Sequence, residues 1–218
     1  MNTSLLLQLF KDTLLLIPCS GCKQRGSKPS NAISILSALD PALAAALANA
    51  RTVLREKALV DEKTLMPAYL RYSGQLYKHG STSIGEALAA GQRVIIVSGG
   101  YGLLLANEPI GVYEQRFALS DWPGSLLEEC ILDYACHEGI RSVIAVMSST
   151  TDYARLIRRI DWRRAGLTAR LVSPVAHGGG AMVKVPRAQG QAVAALINTG
   201  LDSAWRSSDS LSLETKSL

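Results

Sequence analysis

The sequence predicts an α/β protein: a three-layer α/β/α sandwich around a mostly parallel, doubly wound sheet of about four core strands. Four apolar runs, each bounded by Gly, Ser or Pro, are rich in β-branched residues and do not alternate with polar ones. Such runs are typical of strands buried on both faces of a parallel sheet. Helical patterns lie between them, and strand–helix alternation favours a doubly wound sheet. The four predicted strands are Thr13–Ile17, Arg93–Val97, Arg141–Met147 and Ala169–Val172.

Helical patterns fill the segments that follow these strands. Ile33–Lys57 is rich in Ala and Leu and contains Asp40-Pro41, a pair typical of a helix cap and first turn. Thr82–Ala90 is amphipathic and is followed by a glycine, a common helix end. Three further helices are predicted at Leu126–His137, Asp152–Ala165 and Arg187–Leu201.

Length and composition set the broad class. With 218 residues and neither a linker nor a repeat, we predict one α/β domain over 1–205 and a flexible, Ser-rich tail over 206–218. No apolar run approaches the ~20 residues of a membrane helix, and the start lacks the basic region of a signal peptide. We expect a cytoplasmic protein with reduced cysteines and no membrane contact. The net charge of +5 fits a polyanionic partner, but equally a basic surface alone.

Small and polar residues follow each predicted strand. The carboxyl ends of parallel strands meet at one edge of a sheet, which is where open α/β folds bind ligands. We therefore expect four loops to line a single cleft. These loops are Pro18–Lys23, Ser98–Leu104, Ser148–Asp152 and Ser173–Gly180.

The first loop brings a thiol, a hydroxyl and an ammonium to one strand end. Cys19 is a candidate nucleophile, and Lys23, beside the backbone N–H of Ser20, is a candidate contact for an anion. Cys19 and Cys22 form a C-x-x-C pair, but no helix starts promptly after it, as a redox pair would require. No further cysteines or histidines have the spacing of a zinc site. We therefore predict no metal and no cofactor.

The second loop is rich in glycine and followed by an acid. Its glycines would let the backbone approach a flat ligand, and its tyrosines would either stack on a base or cap the core. Glu114 is a candidate proton-transfer group. The predicted ligand contacts are Gly99, Gly100, Tyr101, Gly102 and Tyr113.

Two further signals lie outside these loops. Tyr69, Tyr72 and Tyr77 fall within nine positions of one another, which favours a binding edge over a core position for the group as a whole. His177 precedes three glycines after the last predicted strand. It is a candidate general acid or base, or a substrate contact; a purely structural histidine is the alternative.

Three ordered motifs resemble those of the YaaA-like family of peroxide-stress proteins and their relatives. They are Pro-Cys-Ser-x-x-Lys, then Pro-Ala-Tyr-x-x-Tyr-Ser-Gly-x-Leu-Tyr, then Ser-Gly-x-Tyr-Gly-Leu-Leu with a following Pro-Ile-x-x-Tyr-Glu. Together they cover about half the chain, from Leu14 to Glu114. The first motif is also similar to a segment of archaeosine synthase, which modifies a deazaguanine base. The layout is similar to the uracil-DNA glycosylase fold.

The resemblance implies a nucleobase, nucleotide or nucleic acid as the partner. It implies an enzyme that cleaves or substitutes at a base, of the N-glycosidase or base-modifying transferase type. One alternative is a non-catalytic DNA-binding protein of the oxidative-stress response, and another is a small-molecule sensor without turnover. The oligomeric state stays open. The site residues that the resemblance implies are Cys19, Ser20, Lys23, Tyr72, Ser73, Tyr77, Ser98, Tyr101, Gly102, Tyr113 and Glu114.

Overall fold

The computed structural model describes residues 11–176 and 179–218 and contains a six-stranded, mostly parallel central sheet flanked by helices. A separate pair of strands lies beside it. The strands in chain order are β1 (Thr13–Pro18), β2 (Asp61–Pro67), β3 (Arg93–Ser98), β4 (Gly102–Leu105), β5 (Pro109–Val112), β6 (Ser142–Val146), β7 (Thr168–Val175) and β8 (Ser212–Ser217).

The strand order in the central sheet is β4-β3-β1-β6-β7-β8. Neighbours among β3, β1, β6 and β7 are parallel, whereas β4 and β8 are antiparallel additions at the two edges. Strands β2 and β5 form the separate antiparallel pair. The four apolar runs of the sequence are β1, β3, β6 and β7, with small shifts at their ends.

The sheet has six strands rather than about four, because the sequence gives little signal for either edge strand. Strand β4 is only four residues long and follows a glycine-rich turn directly. Strand β8 reads Ser-Leu-Glu-Thr-Lys-Ser and is mostly exposed, so it lacks an apolar run. The flexible tail predicted over 206–218 is corrected here, because β8 pairs with β7 along its whole length.

Six α-helices and two short 3-10 helices connect the strands in the described part of the chain. The first predicted helix is split, because Asp40 accepts a hydrogen bond from the Ala42 N–H at 2.8 Å and caps a new helix at Pro41. The helices are the 3-10 turns Ile35–Ala38 and Leu119–Asp121, and α1 (Pro41–Lys57), α2 (Ala68–Arg71), α3 (Gln75–Ala89), α4 (Leu126–His137), α5 (Asp152–Arg159) and α6 (Ala181–Asn198).

The central sheet separates two apolar cores, because side chains alternate between the two faces of a strand. On β1, Leu14 and Leu16 pack with α1, α4 and α5, while Leu15 and Ile17 pack with α3 and α6. All four side chains are fully buried, which explains why β1 is an unbroken apolar run. The helices on both faces complete three layers.

The strand order also fixes where a ligand cavity forms. After β1 the chain adds β3 on one side of it and later returns to add β6 on the other side. A crevice opens beyond the carboxyl ends of strands at such a reversal. Within residues 11–176 and 179–218, none of the helices has the length and apolar character needed to cross a membrane.

Candidate functional site

A cavity of about 710 Å³ lies at this reversal, beyond the carboxyl ends of β1 and β6. Five segments line it: the loop after β1, the start of α3, the segment after β5 at Arg116, the loop from β6 into α5, and the first turns of α6. Two of the four loops that the sequence predicts to share one cleft, those after β1 and β6, therefore border it. The N-terminal part of α6 supplies an apolar wall that includes Val183, Val185 and Pro186.

Cys19 stands at the tip of β1 and borders the cavity. Its backbone N–H donates to the Val97 carbonyl oxygen at 2.9 Å, which continues the pairing with β3 beyond the strand end. Its thiol lies 3.1 Å from the hydroxyl of Tyr153. Burial, followed by the nearby Cys19 charge, raises the pKa of Tyr153, so the phenol keeps its proton. Tyr153 can therefore donate a hydrogen bond to the Cys19 sulfur when the thiol is ionised.

Ser20 ties the first loop to the start of α3. Its hydroxyl oxygen accepts hydrogen bonds from the backbone N–H groups of Cys22 and Gly74, each at 3.1 Å. A Cβ at Gly74 would overlap this oxygen, so the close approach requires glycine there. Ser20 also borders the cavity, and its own proton stays available to a ligand. Ser73 joins the same contact through its backbone N–H, which donates to the Cys22 carbonyl oxygen at 2.9 Å.

Lys23 lies over an aromatic ring beside the first cavity. Its Nζ is 3.9 Å from the centre of the Tyr113 ring, and its backbone pairs with Tyr72 in an isolated antiparallel bridge. Burial lowers the pKa of Lys23, and the charges of Cys19 and Glu114 partly oppose that shift. The ammonium is therefore held in electrostatic contact with both candidate catalytic groups.

A second cavity of about 520 Å³ contains the charged groups. It is lined by Gly21, Lys23, Glu114, Gln115 and Arg116. Gly21 and Arg116 also line the first cavity, so the two spaces adjoin. The site thus has an apolar lobe with a thiol and a charged lobe with two cations and one carboxylate.

The predicted tyrosine contacts lie beneath the site rather than in it. Tyr72 and Tyr113 share a hydroxyl–hydroxyl bond of 2.7 Å, and Ser98 lies 2.8 Å from the Tyr113 hydroxyl. The Tyr77 hydroxyl donates to the Pro18 carbonyl oxygen at 2.8 Å, and the Tyr101 hydroxyl donates to Glu62 at 2.9 Å. All four tyrosines are buried, and burial raises their pKa values. This corrects the prediction that they contact a ligand: Tyr72, Tyr77 and Tyr113 contact the first loop from below. Tyr101 instead joins β2 to β5, because its hydroxyl also accepts from the Gly111 N–H.

The glycines of the second loop likewise contact the chain itself. A Cβ at Gly99 would overlap the Gln115 carbonyl oxygen, and one at Gly100 would lie 2.8 Å from the Tyr113 ring. Gly102 has a φ of +71° and packs against Trp122. Their small size admits neighbouring residues of the protein, which corrects the expectation that a ligand approaches them. They still shape the site, because Gln115 and Tyr113 border or support the charged lobe.

Tyr153, Arg116 and Gln189 line the two cavities, although the sequence patterns predict no role for them. Tyr153 follows the predicted loop after β6 by one residue, so its position gave a usable signal. Arg116 lies two residues beyond Glu114, without a motif of its own. Gln189 is on α6, where nothing local distinguishes it from any other polar helical residue. His177 falls outside the residues that the structure describes.

Across 11–176 and 179–218, no group of three or more His, Cys, Asp and Glu side chains is arranged to hold a metal ion. The four cysteines are free, and Cys22 is exposed. Neither protein-family models nor curated proteins give a match to this chain. The likeness to the YaaA-like family therefore stays a prediction based on its motifs.

Proposed function

We propose that the chain is an enzyme that binds a nucleobase, free or within a nucleotide or nucleic acid, and cleaves or substitutes at it. The observation that carries this proposal is the pair of adjoining lobes with opposite chemistry. A base has apolar faces and suits the lobe against α6, while a phosphate suits the lobe with Lys23 and Arg116. Volumes of about 710 and 520 Å³ are of the size that holds small ligands.

Cys19 is the nucleophile in this proposal. Its thiolate attacks the carbon that carries the leaving group, and the electron pair of the broken bond departs with that group. The proton that the leaving group needs comes from Lys23, whose lowered pKa makes it a better acid than an ordinary lysine. The exposed Glu114 restores that proton from solvent. Water, or a second substrate in a transferase, then displaces the sulfur and frees the enzyme.

A uracil-DNA-glycosylase-like fold and membership of the YaaA-like family are part of the same proposal. Their support is the cavity at the carboxyl edge, bordered both by the segment after β1 and by α6, which follows β7. The three motifs also converge: the second begins at the end of β2, and its Tyr72 pairs with Lys23 of the first.

The first experiment identifies the bound ligand and then measures turnover of that compound. Mass spectrometry of the protein purified under native conditions is expected to find a base, nucleoside or nucleotide. With that compound as substrate, Cys19→Ala is expected to abolish turnover, and Tyr153→Phe to lower it about tenfold by removing a hydrogen bond to a charged sulfur. Cys136→Ala removes an exposed thiol on α4 and is the matched control. Full turnover by Cys19→Ala would refute the mechanism.

A non-catalytic DNA-binding protein is the second candidate, and exposed arginines favour it. Helix α5 and the turn after it carry Arg155, Arg158, Arg159, Arg163 and Arg164, all exposed. This candidate predicts retention of duplex DNA in a gel shift at low salt, with an affinity that falls steeply as salt rises. Failure to retain DNA at low salt would remove it.

A further inference from the structure

We infer that Gln189 recognises the polar edge of the base, and hence that the ligand is a base with an amide or amidine edge. This inference rests on the proposed function and sharpens it. It assigns a specificity-determining residue to α6, a helix on which the sequence predicts no site residue.

Gln189 is buried, yet its amide has no hydrogen-bond partner among the residues that the structure describes. Its side chain borders the larger cavity and the residue is only 4% exposed. Among the hydrogen bonds between described residues, none involves its amide, and its polar atoms keep some accessible surface where the side chain borders the cavity. A polar group with so little exposure has few routes to water, and such groups are nearly always paired. The unpaired amide therefore faces the space where a ligand would supply the missing bonds.

Gln191, two residues further along α6, shows the contrast. Its amide nitrogen donates to the Ser208 hydroxyl at 2.8 Å, and its amide oxygen accepts from the Ser208 N–H at 2.9 Å. This glutamine is satisfied by the protein alone. Gln189 has the same chemistry on the same helix, and its amide has no such partner within 11–176 and 179–218.

The backbone around Gln189 is firmly placed. A Cβ at Gly190 would overlap the Leu76 carbonyl oxygen, so α6 rests directly on the first turn of α3. Ala188, on the other side, is fully buried. The amide is therefore presented from a fixed helix, and little ordering cost is left for the binding step.

The chemistry of the amide defines the ligand. A glutamine side chain places one acceptor and one donor group side by side. Its complement is an edge with an adjacent donor and acceptor: the N1–H and O6 of hypoxanthine, or the amino group and ring nitrogen of adenine. Unsubstituted purine has the same rings and shares the N3 and N9–H edge with both bases, but it has no donor at position 1 or 6. The apolar residues Val185 and Pro186 line the same lobe and suit the faces of these rings.

Calorimetric titration with adenine, hypoxanthine and unsubstituted purine tests the inference. Wild-type protein is expected to bind adenine or hypoxanthine at least about tenfold more tightly than purine. Gln189→Leu is expected to erase that preference while keeping the affinity for purine. Gln191→Leu is the matched control and is expected to keep the preference. A Gln189→Leu protein that still prefers the substituted bases would overturn the inference.

A second variant guards against a folding defect. Gln189→Glu keeps the shape but, when ionised, only accepts hydrogen bonds, so it is expected to weaken the binding of adenine and hypoxanthine alike, because each base would set its acceptor against the carboxylate. Unchanged binding of both bases would count against the assignment. The proposed function fails separately: it falls if wild-type protein binds none of the three bases and carries no nucleotide when purified. The inference about Gln189 would then fall with it.

Discussion

At the scale of single residues, Lys23 shows how opposing effects are combined at the site. Its ammonium loses hydration by burial, and it gains the Tyr113 ring face and the charges of Cys19 and Glu114. The pKa of Lys23 is lowered overall, so the loss of hydration outweighs these attractions. A lysine in this position is tolerated in the fold at some cost, as expected of a group kept for its chemistry.

The first prediction concerns Lys23 and pH. In the folded protein the pKa of Lys23 lies below the ordinary 10.5. Between these two pKa values the unfolded chain binds more protons than the folded one, so the free energy of unfolding rises with pH in that range. We expect Lys23→Met to be more stable than wild type at neutral pH, with a difference that narrows as pH approaches about 10.5. Urea unfolding at several pH values measures it. The buried tyrosines are common to both proteins and cancel, so a pH-independent difference would contradict the prediction.

The roles of single residues could be predicted only where their position in the sequence indicates them. Cys19 and Lys23 follow a buried strand directly, and that position alone brings them to the edge of the sheet. The roles of Tyr72 and Tyr113 could not be inferred, because their burial depends on contacts 41 positions apart in sequence. Gln189 becomes significant only through its lack of a partner, which no sequence pattern records.

At the scale of elements, the contact between α3 and α6 sets the shape of the apolar lobe. Gly190 rests on the Leu76 carbonyl, and a Cβ at Gly80 would lie 3.3 Å from the Gly190 carbonyl oxygen. Two glycines thus face each other where the helices are closest. The first turn of α3 and the wall formed by α6 are held together at this point.

The second prediction follows from that contact. Gly190→Ala is expected to destabilise the protein by about 1–3 kcal/mol, because the added methyl group must push α6 away from α3. Chemical denaturation measures the change, and ligand binding in the same variant should weaken because the lobe widens. Gly179→Ala is the control, since no atom lies within 4 Å of a Cβ built there. Equal stability of the two variants would show that the helices can separate without cost.

Whole elements could be predicted where their burial is uniform. Strand β1 packs on both faces and α4 has the predicted bounds, so their patterns are plain in sequence. Strands β2 and β5 could not be recognised, since β2 is largely exposed and β5 has four residues. Helix α6 begins at Ala181, six residues before the predicted start, and Pro186 lies inside it, so a pattern that treats proline as a helix boundary places the start too late.

At the scale of the whole molecule, the last residues close one edge of the sheet. Strand β8 pairs with β7 from Arg170–Ser217 to Val175–Ser212, and Leu211 just before it is buried.

The third prediction is that removal of residues 206–218 lowers the free energy of unfolding by about 2–4 kcal/mol through lost ladder hydrogen bonds. It should also promote association, because the edge of β7 becomes free to pair with another chain. Denaturation measures the free energy of unfolding, and size-exclusion chromatography measures association. A truncated protein that stays monomeric and is as stable as the full chain would contradict the prediction.

The central place of β1 has a consequence for how the protein is made. Strand β1 leaves the ribosome before its neighbours β3 and β6, which begin only at Arg93 and Ser142. During synthesis, the most apolar strand therefore waits for its first partner until β3 has emerged and for its second partner until β6 has emerged. Such an exposed strand is where a chaperone would act. The wall with Gln189 follows β6 and β7, so a nascent chain completes its ligand site only after the strands that border the site have emerged.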